Sequence, residues 1–197
     1  MPRVVTGKYR GAVLFAPQGD NTRPTTDKVK EALFSMISVR IPSCRFLDIF
    51  SGTGQIAIEA VSRGADLGVM IERSGEACSV IKRNLEKIHA TEDPALKLIR
   101  APYGPALQRL ADEGQRFDII FLDPPYRNAH KSAVEIADMI RRYDLLENDG
   151  IMIVEHSSEL PFDTDVINMK FLRSCSYGLT VITFFGKGES EGGQTID

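Results

Sequence analysis

The sequence contains no tryptophan, and it has three cysteines and three histidines among 197 residues. The cysteines lie far apart and form no C-x-x-C pair, and the histidines are equally scattered. These six residues are Cys44, Cys78, Cys175, His89, His130 and His156. A disulfide framework and a zinc site of ordinary ligand spacing are therefore not expected. Isolated cysteines suit a reducing compartment, and no metal is predicted.

Long hydrophobic runs are also lacking. No stretch approaches the roughly 18 apolar residues that a membrane-spanning helix needs. Met1-Pro2-Arg3 leads into polar sequence rather than into the apolar core of a signal peptide. Hydrophobic residues make up 43% and charged residues 26% of the chain, as in ordinary globular proteins. We therefore expect a soluble cytoplasmic protein built around one domain of ordinary size.

Charge is small in total but uneven in distribution. The formal net charge is −3, yet residues 1–40 carry seven basic against three acidic residues, and the remainder carries 17 basic against 24 acidic. The seven basic residues are Arg3, Lys8, Arg10, Arg23, Lys28, Lys30 and Arg40. A basic arm on an acidic body predicts a local contact with a polyanion. An ordinary solvated surface would give the same pattern.

Hydrophobic periodicity predicts the elements of the fold. Residues 3–15 alternate polar and apolar side chains around Gly7 and Gly11, which predicts a β-hairpin. Residues 28–38 repeat apolar side chains at spacings of three and four, which predicts a helix. From Cys44 onward, strands alternate with Gly-rich turns and helices. The predicted strands are 45–49, 67–72, 96–100, 117–122, 150–155, 169–177 and 179–185, and the predicted helices are 54–63, 75–88 and 130–143.

This order of elements predicts an α/β fold. We expect a seven-stranded, mostly parallel sheet with helices on both faces, a terminal antiparallel pair and the N-terminal β-hairpin. Ligands of parallel sheets bind beyond the carboxyl ends of the strands. The functional residues should therefore follow directly after the strands.

The first strand continues into a glycine-containing loop, Asp48-Ile49-Phe50-Ser51-Gly52-Thr53-Gly54. Gly52 and Gly54 allow a ligand to press against bare backbone, and the following helix presents free amides at its positive end. The loop also matches G-x-G-x-x-A through Ala57, with Glu72 eighteen residues after Gly54. Taken alone, this pattern fits a dinucleotide dehydrogenase.

The carboxylate of Asp48 favours a different ligand. A pyrophosphate is anionic, so a carboxylate beside its loop is unfavourable. S-adenosylmethionine carries a cationic sulfonium and a cationic ammonium, which an acidic side chain attracts. Glu72 serves either ligand, because it can accept hydrogen bonds from two ribose hydroxyls. A turn-stabilising role for Asp48 is the structural alternative.

The fourth strand ends in Asp123-Pro124-Pro125-Tyr126. Two successive prolines fix their φ angles and donate no backbone hydrogen bonds. The Asp123 carboxylate and the Pro124 carbonyl are then two fixed acceptors, with the Tyr126 ring beside them. An exocyclic amine on a nucleic-acid base presents two N–H donors and a flat ring. The motif therefore predicts binding of such an amine, with a proline-stiffened turn as the alternative.

These motifs resemble those of a known family. Residues 48–54, Glu72 and residues 123–126 look like the cofactor and N-methylation motifs of class I S-adenosylmethionine-dependent methyltransferases. Residues 3–11 (RVVTGKYRG) and 22–34 (TRPTTDKVKEALF) look like the RsmD-type 16S ribosomal RNA guanine-N2 methyltransferases. The resemblance extends from residue 3 to about residue 185.

The resemblance implies a class I fold, S-adenosylmethionine as methyl donor and a guanine N2 acceptor in small ribosomal subunits or their assembly intermediates. Together with the residue patterns, it predicts a β-hairpin extension (1–20), a methyltransferase domain (21–186) and a flexible tail (187–197). The expected catalytic residues are Asp123, Pro124 and Tyr126. The expected cofactor-binding residues are Asp48, Phe50, Ser51, Gly52, Gly54, Glu72, Arg23 and Asp123. The expected RNA-binding residues are Arg3, Lys8, Arg10, Arg23, Thr25 and Tyr126.

One segment departs from the usual pattern of this class. Many members offer an acidic or amide residue to the adenine amino group after the third strand, whereas this chain has Arg100-Ala101-Pro102-Tyr103. Adenine would then meet backbone groups or stack against a side chain such as Tyr103.

Other functions remain open at this point. The same amine chemistry would serve another RNA, DNA or a protein amide as methyl acceptor. A nicotinamide oxidoreductase and a non-enzymatic RNA-binding factor that kept the fold are further alternatives.

Overall fold

The computed structural model describes residues 2–16 and 27–188. The chain divides into two compact units, Met1–Ala106 and Leu107–Asp197. All seven expected strands are present. Within the described ranges, no helix combines the length and apolar character needed to cross a membrane.

The first unit alternates strands with helices. Its three strands pair in the order β3-β2-β1, and both pairings are parallel. The described elements are α1 (Asp27–Met36), a 3-10 turn (Ser38–Arg40), β1 (Arg45–Ile49), α2 (Gln55–Ser62), β2 (Leu67–Glu72), α3 (Gly75–Lys87), β3 (Leu96–Arg100) and the start of α4 (Tyr103–Asp112). The bounds of these three strands agree with the predicted ones, because each is a short apolar run flanked by polar or turn residues.

Helix α2 is buried at every position, including the polar Gln55, Glu59 and Ser62. The sequence pattern of residues 54–63 predicts instead an amphipathic helix. The N-terminal segment 2–16 covers this side of α2, as its hydrogen bonds show. Val5 and Thr6 donate their amides to the Glu59 carboxylate at 2.7 and 3.0 Å.

The predicted N-terminal β-hairpin is not shown as a pair of strands. Residues 2–16 do fold back, but they form one isolated bridge, between Arg3 and Val13, and no strand. The turn between the two arms binds the end of α2. The amides of Lys8 and Tyr9 donate to the carbonyl and the hydroxyl of Ser62 at 2.8 and 2.9 Å. The two arms of the segment are joined by three backbone hydrogen bonds, from Val4 to Ala12, from Gly11 to Val4 and from Leu14 to Pro2.

Gly7 makes this close packing possible. Its φ angle is +88°, and a Cβ atom there would lie 1.6 Å from the Ser62 carbonyl oxygen. No other residue type fits between the segment and the end of α2.

A buried ion cluster holds α1 and the N-terminal segment to α2. Lys30 and Glu59 are both fully buried, with 3.9 Å between Nζ and Oε2. Lys30 also donates to the Arg3 carbonyl, and Arg63 Nε donates to Glu59 at 2.7 Å. Burial lowers the pKa of Lys30, while the charges of Glu59 and Asp27 oppose that shift. The cluster satisfies charges that would be costly if left unpaired.

The second unit is a mixed α/β arrangement. Its strands pair in the order β4-β5-β7-β6, with β4 parallel to β5, and β7 antiparallel to both β5 and β6. The described elements are the end of α4, β4 (Phe117–Leu122), a 3-10 turn (Tyr126–Asn128), α5 (Ala129–Arg142), β5 (Leu146–Ser157), β6 (Lys170–Tyr177) and β7 (Thr180–Gly186). The predicted terminal antiparallel pair is confirmed. Of the five strand pairings described within the two units, three are parallel and two are antiparallel, so the arrangement is mixed.

Helix α4 was not predicted. Gly104 and Pro105 lie in its first turn and obscure the pattern, although proline is tolerated there. Its inward side chains, Ala106, Leu107 and Leu110, are buried at helical spacing. The strand β5 also begins earlier than predicted, at Leu146.

Candidate active site

The loop between β1 and α2 contains three residues in the left-handed region. The φ angles are +72° at Phe50, +54° at Gly52 and +76° at Gly54. Gly54 is the N-cap of α2, and a Cβ atom there would lie 2.9 Å from Met70 Sδ. Phe50 adopts this conformation without being glycine, at a cost of about 1–2 kcal/mol. Such strain is typical of a loop shaped to receive a ligand.

Asp48 lies beneath this loop, at the carboxyl end of β1. It is 1% exposed, and its Oδ2 atom has no hydrogen-bond partner among the described residues. Burial raises the pKa of Asp48 to about 7, and the charge of Glu72 adds to the rise. The Ala57 amide, in the first turn of α2, opposes it. A buried acceptor without a donor is costly, so a cationic or N–H donor from a ligand would stabilise this side chain.

Glu72 ends β2 and reaches the same loop. Its carboxylate accepts hydrogen bonds from the Gly52 amide at 3.0 Å and from the Ser74 amide at 2.8 Å. One oxygen thus supports the glycine loop and the other supports the start of α3. Each carboxylate oxygen can accept a further hydrogen bond, so Glu72 can also bind a hydroxyl pair.

The aromatic rings of Phe50 and Tyr103 meet at this end of the first unit. Their centroids are 5.6 Å apart and their planes are inclined by 63°, an edge-to-face contact. The predicted role of Tyr103 as a stacking surface for adenine stays a prediction. The contact nevertheless brings the start of α4, which follows β3, to the loop after β1, as expected for parallel strands whose carboxyl ends share one edge of the sheet.

Asn84 belongs to this site and was missed by reasoning from the sequence. It is fully buried in α3, and its Nδ2 atom donates to the Thr53 carbonyl at 2.9 Å and to the Phe15 carbonyl at 3.1 Å. Its Oδ1 atom accepts from the Phe15 amide at 2.7 Å. One side chain therefore fixes the glycine loop and the end of the described N-terminal segment. One signal in the sequence could have indicated this role of Asn84. It is an asparagine on a helix face whose other residues are apolar.

In the second unit, the Asp-Pro-Pro-Tyr motif begins directly after β4. Asp123 is half-buried and Pro124 is buried. The Pro125 carbonyl accepts from the Asn128 amide at 2.8 Å, which closes the 3-10 turn before α5. A 3-10 turn thus begins directly after the two prolines. The side chain of Tyr126 lies outside the described residues.

The expected RNA-binding residues have different environments. Arg3 donates to Asp27 at 3.0 Å, and Lys8 donates to Asp93 at 2.8 Å. Hydrogen bonds from Lys8 and other groups lower the pKa of Asp93 to about 2. Arg10 is exposed. Arg23 and Thr25 lie outside the described residues, so their predicted roles stay predictions.

Comparison with known proteins identifies the relatives of this chain. Residues 2–186 match the family model described as Conserved hypothetical protein 95. YlbH of Bacillus subtilis, described as an rRNA methyltransferase, is 36% identical over 185 residues, which span 94% of this chain and 98% of YlbH. Ribosomal RNA small subunit methyltransferase D of Escherichia coli is 28% identical over 192 residues, which span 96% of this chain and 93% of that protein. The structure of Escherichia coli yhhF, described as a methyltransferase, is 26% identical, with a TM-score of 0.77 over 95% of this chain and 98% of yhhF.

The elements and the loop after β1 therefore define an α/β protein of the methyltransferase type. Within that class, the chain belongs to the family described as Conserved hypothetical protein 95. The resemblance to the RsmD-type proteins, inferred from residues 3–11, 22–34 and the two strand-end motifs, is confirmed.

Proposed function

We propose that this protein transfers a methyl group from S-adenosylmethionine to the exocyclic N2 amine of a guanine in small-subunit ribosomal RNA. The names of its relatives support the reaction class and the ribosomal RNA. The observation that carries the donor assignment is the buried Oδ2 atom of Asp48, which has no partner among the described residues. A ribosomal substrate also agrees with the expected cytoplasmic location.

The residues around the β1–α2 loop fit S-adenosylmethionine. Asp48 would hold a cationic group of the donor, because an ion pair offsets the cost of ionising a fully buried carboxyl. Glu72 would accept from the ribose hydroxyls with the lone pairs that the Gly52 and Ser74 amides leave available. The backbone at Gly52 and Gly54, with Phe50 and Ser51, would form the surface against which the donor packs. When bound, the donor supplies an electrophilic methyl carbon.

The acceptor amine would be held by the Asp-Pro-Pro-Tyr motif. The lone pair of an exocyclic amine is delocalised into the base, so the nitrogen is a weak nucleophile. Hydrogen bonds from its two N–H groups to the Asp123 carboxylate and the Pro124 carbonyl would orient that lone pair for in-line attack. Methylation makes the nitrogen cationic, and Asp123 would accept the proton that it releases. Tyr126 would stack on the base, while Arg23, Thr25 and the basic N-terminal residues would contact the RNA.

The test is a methyl-transfer assay with labelled S-adenosylmethionine and small subunits or their RNA from cells that lack this activity. Mass spectrometry of the digested RNA should detect N2-methylguanosine. Asp123→Ala should lower kcat by at least about 100-fold, as loss of a positioned acid–base group does. Asp138→Ala, an exposed carboxylate on α5, is the matched control and should retain activity.

Parallel assays with duplex DNA, other RNAs and protein acceptors decide between the possible acceptors. Preferred transfer to any of these would refute the ribosomal RNA assignment and leave the donor site intact. An unchanged rate for Asp123→Ala would refute the proposed mechanism.

A further inference from the structure

Two cations on the exposed side of α3 converge on one aromatic ring of the N-terminal segment. The guanidinium carbon of Arg83 lies 4.2 Å from the centroid of the Phe15 ring, and Nζ of Lys87 lies 4.5 Å from it. Phe15 is half-buried, whereas Arg83 and Lys87 are exposed. We call these three residues the Phe15 patch.

The patch carries uncompensated positive charge. Within residues 2–16 and 27–188, neither Arg83 nor Lys87 forms an ion pair, although Glu86 lies on the same helix. Residues four positions apart on a helix are neighbours, and like charges at that spacing repel each other. Cation–π attraction to Phe15 holds both groups despite this repulsion. An anion placed beside them would relieve the repulsion and gain two charge-assisted hydrogen bonds.

The ring at the centre of the patch is rigidly placed. Asn84, the residue after Arg83, binds both the amide and the carbonyl of Phe15, at 2.7 and 3.1 Å. The same side chain binds the Thr53 carbonyl in the β1–α2 loop at 2.9 Å. The Phe15 patch therefore has a fixed position relative to the loop that we assign to the methyl donor.

We propose that the Phe15 patch binds the phosphate backbone of the RNA substrate. The proposal rests on the proposed function for the identity of the polyanion. A chain of net charge −3 needs local positive sites to bind a polyanion in one orientation, and this patch is such a site. Because the patch is tied to the donor loop through Asn84, phosphate binding there would position the strand relative to the methyl group.

The test compares two double variants that each remove two positive charges. Arg83→Gln/Lys87→Gln removes the charges of the patch, and Arg109→Gln/Lys170→Gln removes two exposed charges elsewhere. The dissociation constant for unmodified 16S RNA is measured over a series of KCl concentrations. The patch variant should bind about tenfold more weakly, and the slope of log K against log salt should become less steep by about 1–2. The control should change little.

S-adenosylhomocysteine binding should stay within about twofold of wild type in both variants, since neither pair touches the donor loop. An unchanged salt dependence in the patch variant, or an equal loss in the control, would overturn the proposal. So would weakened binding to assembled particles with unchanged binding to naked RNA, because the partner would then be a protein. If the proposed function itself is wrong, the result is different, because the wild-type protein would then methylate no RNA.

Discussion

The side chain of Asn84 donates a hydrogen bond to the backbone carbonyl of Thr53 at 2.9 Å, from helix α3 to the loop after β1. The remaining hydrogen-bonding groups of this amide bind the backbone of Phe15. The β1–α2 loop and the N-terminal segment therefore share one buried anchor.

Replacement of this anchor should loosen the donor loop. In Asn84→Ala, the Thr53 carbonyl and the Phe15 backbone lose their partner, so the free energy of unfolding should fall by about 1–3 kcal/mol. The dissociation constant for S-adenosylhomocysteine should rise about tenfold, which corresponds to about 1.4 kcal/mol. Denaturant unfolding and calorimetry measure the two effects. Asn148→Ala, at a surface site, is the control, and an unchanged ligand affinity would reduce Asn84 to a purely structural role.

The ionisation of Asp48 should make the stability of the free protein depend on pH. The pKa of this side chain is raised to about 7 in the folded protein, from about 4 in an unfolded chain. The stabilisation that the protonated Asp48 side chain contributes is therefore fully present below pH 4, and it is lost as the pH rises through 7. Between pH 8 and pH 5 this residue should add about 2–3 kcal/mol to the free energy of unfolding.

Asp48→Asn isolates that contribution, because the amide has nearly the same shape and does not ionise. The variant should be more stable than the wild type at pH 8, and the difference should shrink toward pH 5. Urea unfolding at several pH values measures the free energies. A difference that does not vary with pH would show that Asp48 titrates normally.

Donor binding should release a proton near neutral pH. A cationic ligand binds the ionised form of Asp48, so its affinity should fall up to about tenfold per pH unit below pH 7. Calorimetry in two buffers with different heats of ionisation counts the released protons. The release should disappear in Asp48→Asn, together with most of the affinity. Equal heats in both buffers at pH 6 would contradict the assigned ion pair.

Gly7 and Gly11 provide a matched pair of glycines with similar backbone angles. Their φ angles are +88° and +85°, but an added Cβ atom would meet the Ser62 carbonyl at Gly7 and nothing within 4 Å at Gly11. Gly11→Ala should cost about 1–2 kcal/mol from backbone strain alone. Gly7→Ala should cost considerably more, because it displaces the segment from α2. Thermal unfolding compares the two variants, and equal losses would argue against the close approach at Gly7.

The strands and the two strand-end motifs could be predicted from the sequence, for a local reason. Apolar runs such as 67–72 and 117–122 are bounded by polar or turn residues, and their ends fix where Glu72 and Asp123 lie. The last two strands follow each other so closely, around Gly178, that no helix fits between them, and this predicts antiparallel pairing. Local patterns of this kind need no knowledge of the rest of the chain.

The contacts of the N-terminal segment could not be predicted in the same way. Alternation in residues 3–15 is compatible with a hairpin, and nothing local shows that Glu59 and Ser62 capture its amides. Asn84 and Lys30 are polar residues on helices, where sequence patterns favour solvent exposure. Their burial depends on partners more than 20 positions away in the chain. Helix α4 was missed for a more local reason, since Gly104 and Pro105 usually mark turns.

The hydrogen bonds between residues 5–9 and α2 have a practical consequence for protein engineering. Removal of the first ten residues would take away the Val5 and Thr6 amides that donate to the Glu59 carboxylate. The buried ammonium group of Lys30 would also lose the Arg3 carbonyl. A shortened chain should therefore aggregate or unfold before its RNA affinity can be measured. Fusion tags and truncations meant to probe the basic arm should preserve this stretch and replace its charged side chains one at a time.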